Sequence, residues 1–406
     1  MVEMSDQIVA YEHAVMNTFG TPKLVLERGE GVHVWDTEGN RYLDLLGGIA
    51  VNSLGYAHPA IVDAVSRQVA TLGHVSNFFA TPPQIEAAQL ILERVCVGEA
   101  PQGSRVFFAN SGTEANEAAI KIVRKHAGPG RPRLLALNHA FHGRSTGALA
   151  LTWKEAYRAP FEPLLPGVEF IDPTVEALEA AMGEDVGGLF IESIQGEAGV
   201  YPLDPEFVAA ARRITRDYGA YLVVDEVQTG VGRTGRWMAH HAFTDASGQP
   251  IVPDVVTLAK GLGAGVPVGA CIGLGEAGQV LTPGAHGTTF GGNPLAAAAV
   301  VATIRTLEDD HLLDHVTAVG ARFAQALRDL GPDVVSAVRG EGLLIGVDLV
   351  GVDAPAVVAQ LAARHGIIAN ATGPHTLRFA PPLIVSFDDV ADVPTVLCQA
   401  IKEVTG

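Results

Sequence analysis

Four groups of residues in this chain have types and spacing that could do chemistry. Lys260 closes the apolar run Val255-Val256-Thr257-Leu258-Ala259 and is followed by Gly261-Leu262-Gly263. An amine at a strand end, with glycines removing steric cover and partial desolvation lowering its pKa, can form a Schiff base with a carbonyl compound. Asp225 closes a second run, Tyr221-Leu222-Val223-Val224. A half-buried carboxylate there needs a cationic partner, and a protonated pyridine nitrogen is one. In Phe107-Phe108-Ala109-Asn110-Ser111-Gly112-Thr113-Glu114 a strand ends, Ser111 can N-cap, and Glu114 completes an S-x-x-E capping box. The free N–H groups at Gly112 and Thr113 then form a phosphate cradle at a positive helix end. Finally, Phe141-His142-Gly143-Arg144 leaves the run Leu134-Leu135-Ala136-Leu137. Phe141 could stack on a flat ring, and Arg144 could hold a carboxylate with both arms of its fork. Taken singly, each group also has a plain structural reading: a solvated lysine, a salt-bridged aspartate, an ordinary capped helix. Their occurrence in this order on one sheet is the informative fact.

The elements that must position these residues are short apolar runs alternating with amphipathic stretches. Beyond the runs above they include Gly188-Leu189-Phe190-Ile191 and Val268-Gly269-Ala270-Cys271-Ile272. Four or five apolar residues in a row, with helical segments between, predict strands buried on both faces of a mostly parallel α/β sheet. Its active site belongs at the carboxyl ends of the strands. Upstream, residues 32–36 and 41–45 flank Thr37-Glu38-Gly39-Asn40 as a β-hairpin. Downstream, an Ala-rich helix after Pro294 leads to a smaller α+β region with strands at 343–350 and 376–380. The expected division is residues 1–60 with the hairpin, packing with the small domain; 61–300 as the large α/β domain; and 301–406 as the small domain.

The chain has 406 residues, with 27 Lys and Arg against 45 Asp and Glu, a net charge of −18. Such a surface repels phosphate backbones and anionic lipid, so neither nucleic acid nor membrane is an expected partner. Cys96, Cys271 and Cys398 lie far apart, which argues against a zinc cage or disulfide framework and suits a reducing compartment. His240-His241 is no metal motif, and no metal is expected. The start, Met1-Val2-Glu3-Met4-Ser5-Asp6, carries acid where a signal peptide needs base. The most apolar stretch, residues 294–304, is far shorter than the roughly 20 residues of a spanning helix. The expectation is a soluble cytoplasmic protein.

Two G-x-G-x-x-G strings, at 230–235 and 273–278, raise a nicotinamide dehydrogenase as a competing reading. The motif has meaning only where it leaves a strand and opens a helix. The first is separated from its strand by Asp225-Glu226-Val227-Gln228-Thr229, and the second runs into Pro283-Gly284. Both read as loop glycines.

Over essentially its whole length the chain resembles the class-III, ornithine-type aminotransferases. The resemblance rests on Gly47-Gly48-Ile49-Ala50-Val51-Asn52, Gly55-Tyr56-Ala57-His58-Pro59, Asn110-Ser111-Gly112-Thr113-Glu114-Ala115-Asn116 and Phe141-His142-Gly143-Arg144. It continues in Gln195-Gly196-Glu197-Ala198-Gly199, Asp225-Glu226-Val227-Gln228-Thr229-Gly230, Leu258-Ala259-Lys260 and Gly287-Thr288-Thr289-Phe290-Gly291-Gly292-Asn293-Pro294. It implies a type I fold for pyridoxal 5′-phosphate enzymes: a large domain with a mostly parallel sheet between helices, plus a smaller α+β domain. Lys260 would hold the cofactor covalently and act as acid and base. Asp225 would meet the pyridine nitrogen, Gln228 the phenolic oxygen and Phe141 the ring face. Ser111, Gly112 and Thr113 would hold the phosphate, joined by Thr289 of a neighbouring subunit in a homodimer. Arg144, with Thr288 of the neighbouring subunit nearby, would take the donor's α-carboxylate. Arg378 would take that of glutamate or 2-oxoglutarate, and Glu197 would mask Arg378 while an ω-amine is bound.

Through the Gly-Ile-Ala-Val stretch and Phe-His-Gly-Arg, the resemblance implies N2-acetyl-L-ornithine as donor and 2-oxoglutarate as acceptor. Ornithine, succinylornithine, succinyl-diaminopimelate and 4-aminobutyrate are alternative donors. An aminomutase on the same scaffold, which would keep the amine and need no 2-oxoglutarate, is a further alternative. Tyr56 stands where close relatives carry histidine, and Ser145 where threonine is common; Tyr56 is placed to line the substrate mouth.

Overall fold

The computed structural model describes residues 6–406; residues 1–5, which hold most of the acidic start, lie outside the described residues. The apolar runs form a seven-stranded sheet in the spatial order Arg105–Ala109, Gly269–Gly273, Val255–Leu258, Tyr221–Asp225, Val186–Glu192, Arg133–Leu137, Val168–Ile171. Gly269–Gly273 runs antiparallel to both neighbours, and the other pairs are parallel. Every residue of the three central strands is buried, as both faces are covered by helices.

The helix Gly112–Ala127 shows how sequence sets this packing. Ser111 caps it, Arg124, Lys125 and His126 face its negative end, and Gly128 at φ +69° closes it. Its buried face is built from Ala115, Ala118, Ala119, Ile122 and Val123. These small side chains bring the helix onto the sheet so closely that a Cβ at Gly188 would sit 2.7 Å from Val123. On the other face, Asn293 caps the helix Pro294–Asp309, which packs on Pro59–Leu72 and Pro82–Leu92.

The expected hairpin forms from His33–Asp36 and Arg41–Asp44. Leu26–Glu30 adds a strand on one side, and Ile367–Ile368 pairs in parallel on the other, stitching the N-terminal segment to the C-terminal region. A separate antiparallel sheet has the order Val335–Glu341, Leu344–Leu349, Thr376–Phe379, Asn370–Ala371. No helix among the described residues is long and apolar enough to cross a membrane. Neither glycine string opens an α-helix: residues 230–235 form turns, and 273–278 lead only into the short turn Gly275–Gln279.

Candidate active site

The carboxyl ends of the parallel strands converge on a cleft of about 410 Å³. Its lining includes Ser111, Gly112, Thr113, Phe141, Arg144, Glu197, Asp225, Gln228 and Lys260. These nine expected site residues come from five separate stretches of chain, and the fold brings them together.

Lys260 follows the strand Val255–Leu258 with φ of +43°, a left-handed conformation that costs a non-glycine residue about 1–3 kcal/mol. Ser53 Oγ anchors the next residue by donating to Gly261 O at 2.9 Å. The partly buried amine makes no hydrogen bond or ion pair within the described chain. Burial lowers its pKa from 10.5 to about 8, with Glu197 opposing that shift and Arg378 adding to it. An amine with a pKa of 8 is neutral often enough near pH 7 to act as nucleophile and base.

Asp225, 5 % exposed, ends its strand in register with Glu192 on one side and Thr257 on the other. Its Oδ2 accepts from Asn116 Nδ2 at 2.7 Å and pairs with His142 Nδ1 at 2.8 Å, while Oδ1 accepts the Val227 N–H at 2.9 Å. Asn116 also donates to His142 O and accepts from Thr257 Oγ1, so one buried amide ties helix, loop and strand to the carboxylate. Burial opposes protonation of His142, yet the Asp225 contact holds its pKa above the ordinary value. Glu192 is also buried here; desolvation pushes its carboxyl up to about 7, and it accepts the Phe141 N–H at 2.9 Å. Asn116, His142 and Glu192 are absent from the site expected from sequence. Glu192 also stands at a strand tip, closing Gly188-Leu189-Phe190-Ile191, and that signal could have found it; Asn116 and His142 carry no such signal.

At the helix start, Ser111 Oγ accepts the Glu114 N–H at 3.4 Å. The reciprocal half of the capping box does not form. Glu114 instead accepts from the Asn110 N–H and Nδ2, because its carboxylate reaches one residue further back. Gly112 and Thr113 keep N–H groups with no acceptor among the described residues, facing the cleft.

Arg378 is 1 % exposed and donates Nη1 to Glu197 Oε1 at 2.5 Å and Nη2 to Asn370 Oδ1 at 2.9 Å. Gln228 bridges the pair, accepting from Arg378 Nη1 and donating to Glu197 Oε1, both at 3.2 Å. Burial by itself would raise the Glu197 carboxyl, but Arg378, then Lys260, hold it below the ordinary carboxylate value.

Thr288 and Thr289, expected to serve a neighbouring subunit, lie outside this chain's own cleft, in a separate hollow beside Asn77, Phe78 and Ile85; Asn110 reaches across to Thr288 Oγ1 at 3.4 Å. One expectation changes. Tyr56 does not line the mouth: its hydroxyl donates to Asp44 Oδ2 at 2.6 Å and its ring packs on Gly29. Ser145 donates its N–H to Thr113 Oγ1 at 3.1 Å.

Residues 15–401 match the family model for class-III aminotransferases. The chain is 48 % identical, over 93 % of both chains, to an acetylornithine aminotransferase of Mycolicibacterium smegmatis. It is similar to the solved ornithine aminotransferase of Toxoplasma gondii, described with partial occupancy of PLP at its active site. That match has a TM-score of 0.89 and 33 % identity, covering 98 % of this chain and 94 % of that one. It is also similar to the N-acetylornithine aminotransferase of Stenotrophomonas maltophilia, with a TM-score of 0.81 and 32 % identity over 98 % of each chain.

The fold and the site define a type I pyridoxal-phosphate enzyme. The chain belongs to the class-III aminotransferase family.

The donor set fits that cofactor. A strand-end lysine of lowered pKa, helix-start N–H groups with no acceptor among the described residues, and a buried aspartate Oδ1 with a single donor among them match an aldehyde, a phosphate and a pyridinium.

Proposed function

We propose that this chain transfers the side-chain amine of N2-acetyl-L-ornithine to 2-oxoglutarate, giving N-acetyl-L-glutamate 5-semialdehyde and L-glutamate, as a cytoplasmic enzyme of arginine biosynthesis. The observation that carries the reading is the buried guanidinium of Arg378, masked by Glu197, which lines the same cleft as Lys260. An ω-amine donor reacts at the end away from its α-carboxylate, whereas the acceptor presents an α-carboxylate beside the reacting carbon. One pocket that serves both needs a cation that can be covered and uncovered, because an unpaired buried charge is costly.

Pyridoxal phosphate, when bound, supplies an aldehyde and an electron sink. Lys260 would hold the aldehyde carbon, then take a proton from the amine-bearing carbon at Nζ and return it. Asp225, held by Asn116 and His142, would keep the pyridine nitrogen protonated. Gln228 would meet the phenolic oxygen, Phe141 the ring, and Ser111, Gly112 and Thr113 the phosphate. Arg144 would bind the donor carboxylate. Thr288 and Thr289 would complete the cleft of a second copy in a homodimer; the exposed Phe78 and Phe290 beside them support a covered face there. The division at residues 60 and 300 belongs to the same reading, supported by the separation of the seven-stranded sheet from the C-terminal antiparallel sheet.

The test is a set of half-reactions without 2-oxoglutarate, following the visible absorbance of the bound cofactor. Fast bleaching by acetylornithine with ornithine much slower supports the assignment. Bleaching chiefly by ornithine, the named substrate of the Toxoplasma relative, would move the enzyme to that donor.

A further inference from the structure

Arg144 lines the cleft and is exposed, yet no acid among the described residues pairs with it. Its guanidinium carbon instead lies 3.4 Å from the ring centroid of Tyr157, and 5.7 Å from that of Phe141. Tyr157 stands on the single turn Glu155–Arg158. That turn is moored to the loop carrying Phe141 and Arg144. Trp153 N–H donates to Ala140 O at 2.9 Å, and Thr152 Oγ1 accepts the His142 N–H at 3.0 Å and donates to Gly143 O at 3.1 Å. The ring is partly buried, while its hydroxyl has no hydrogen bond within the described chain. What Tyr157 offers Arg144 is therefore a ring face.

A stacked guanidinium differs from a salt-bridged one in what it leaves free. Stacking uses the π-face of the cation, whereas its five N–H donors lie in the plane and remain available. An acid in the same place would occupy the fork that a substrate carboxylate needs. Stacking also restricts the rotamers of a long, exposed side chain before the substrate arrives.

We propose that Tyr157 is a positioning residue for Arg144, fixing the plane of its guanidinium so that both arms of the fork face the α-carboxylate of the donor. This rests on the reading of Arg144 as the donor's carboxylate clamp. Lys154, whose Nζ lies 4.9 Å from the same ring centroid, competes for the ring but leaves the 3.4 Å contact to Arg144.

The experiment measures two quantities on the holoenzyme: the Kd of N2-acetyl-L-norvaline, which has the donor's carboxylate and no reactive amine, and the KM of N-(4-aminobutyl)acetamide, which has the amine and no carboxylate. Tyr157→Phe is expected to match the parent in both. Tyr157→Leu is expected to weaken the carboxylate ligand about fivefold, the size of one exposed cation–π contact, with the carboxylate-free amine unchanged. Equal effects on both ligands, or none on either, overturn the proposal. If Tyr157→Leu does not fold, a pentafluorophenylalanine at position 157, which keeps the ring and empties its π-face, must give the same selective loss. Arg144→Ala separates the two levels: if it leaves the Kd of N2-acetyl-L-norvaline unchanged, the reading of Arg144 itself fails.

Discussion

Glu197 and Arg378 stand 181 positions apart in the chain and meet at 2.5 Å beside the cleft, with Gln228 bonded to both. Arg378 comes from the C-terminal antiparallel sheet, in register with Gly346 and Asn370, and Glu197 from the segment after the strand Val186–Glu192. Their pairing joins two separate parts of the fold. With Arg378→Ala, the acceptor loses its guanidinium and Glu197 loses its cation. Truncating one partner of a buried charge pair costs about 2–5 kcal/mol, so the 2-oxoglutarate half-reaction should slow on the order of 10²-fold. Single-turnover kinetics with each substrate check this. An equal loss in both halves would make the arginine structural.

Gly196 is the residue that lets Gln228 reach that pair. A Cβ at position 196 would stand 1.8 Å from Gln228 Oε1, although the backbone there has no positive φ to forbid a side chain. Gly196→Ala should leave the thermal midpoint within a few degrees while displacing the Gln228 amide. With one donor to Glu197 gone, the mask loosens and the rate with glutamate rises several-fold relative to the ω-amine donor. An unchanged ratio of the two rates counts against the bridge.

Lys260 gives a pH prediction with a defined sign. Its pKa falls from 10.5 in the free side chain to about 8 in the fold. Between those values the unfolded chain holds the proton more tightly, so this group's cost to stability is full below pH 8 and vanishes as pH rises to 10.5. In cofactor-free enzyme, the rate of covalent pyridoxal phosphate capture should rise about tenfold per pH unit and level off near pH 8. A break near 10.5 would show a solvated lysine.

Glu192 carries the opposite sign. Desolvation raises its carboxyl from 4.5 to about 7. Its folded form keeps a proton that the unfolded chain releases, so its contribution is fully present below pH 4.5 and is lost as pH rises through 7. Glu192→Gln removes this dependence and retains an acceptor for the Phe141 N–H. The variant should gain on the parent with rising pH, reaching about 1–3 kcal/mol by pH 8. Thermal melts at pH 5 and pH 8 decide it; a parallel shift at both pH values would refute the raised carboxyl.

Asn116 is the buried clamp on Asp225. Asn116→Ala strips donors from Asp225 Oδ2 and His142 O and an acceptor from Thr257 Oγ1. Each orphaned buried group costs about 1–3 kcal/mol. The expected outcome is a lower melting temperature together with weaker cofactor affinity, measured by melts with and without pyridoxal phosphate. Weaker stability with cofactor affinity intact would confine Asn116 to a packing role.

The sequence by itself determined the strands, their burial and the residues at their tips. Lys260, Asp225 and the Ser111 cap were legible because each is signalled within a few residues, by an apolar run that stops or a helix that begins. The hairpin and the helix after Pro294 were legible for the same local reason. What only the tertiary structure decided is how side chains from distant segments share one carboxylate or one cation. Asn116 lies within a helix and Tyr157 on one isolated turn, and nothing in their neighbours marks them; Glu192 closes the run Gly188-Leu189-Phe190-Ile191 as Asp225 closes its own, but what it touches there is set by the neighbouring strands. Their contacts depend on helix phase, strand register and loop path at distances of a few ångströms, which periodicity does not encode. For Thr288 and Thr289 the motif is plain in the chain, while the hollow that holds them, apart from their own chain's Lys260, is set by the tertiary structure.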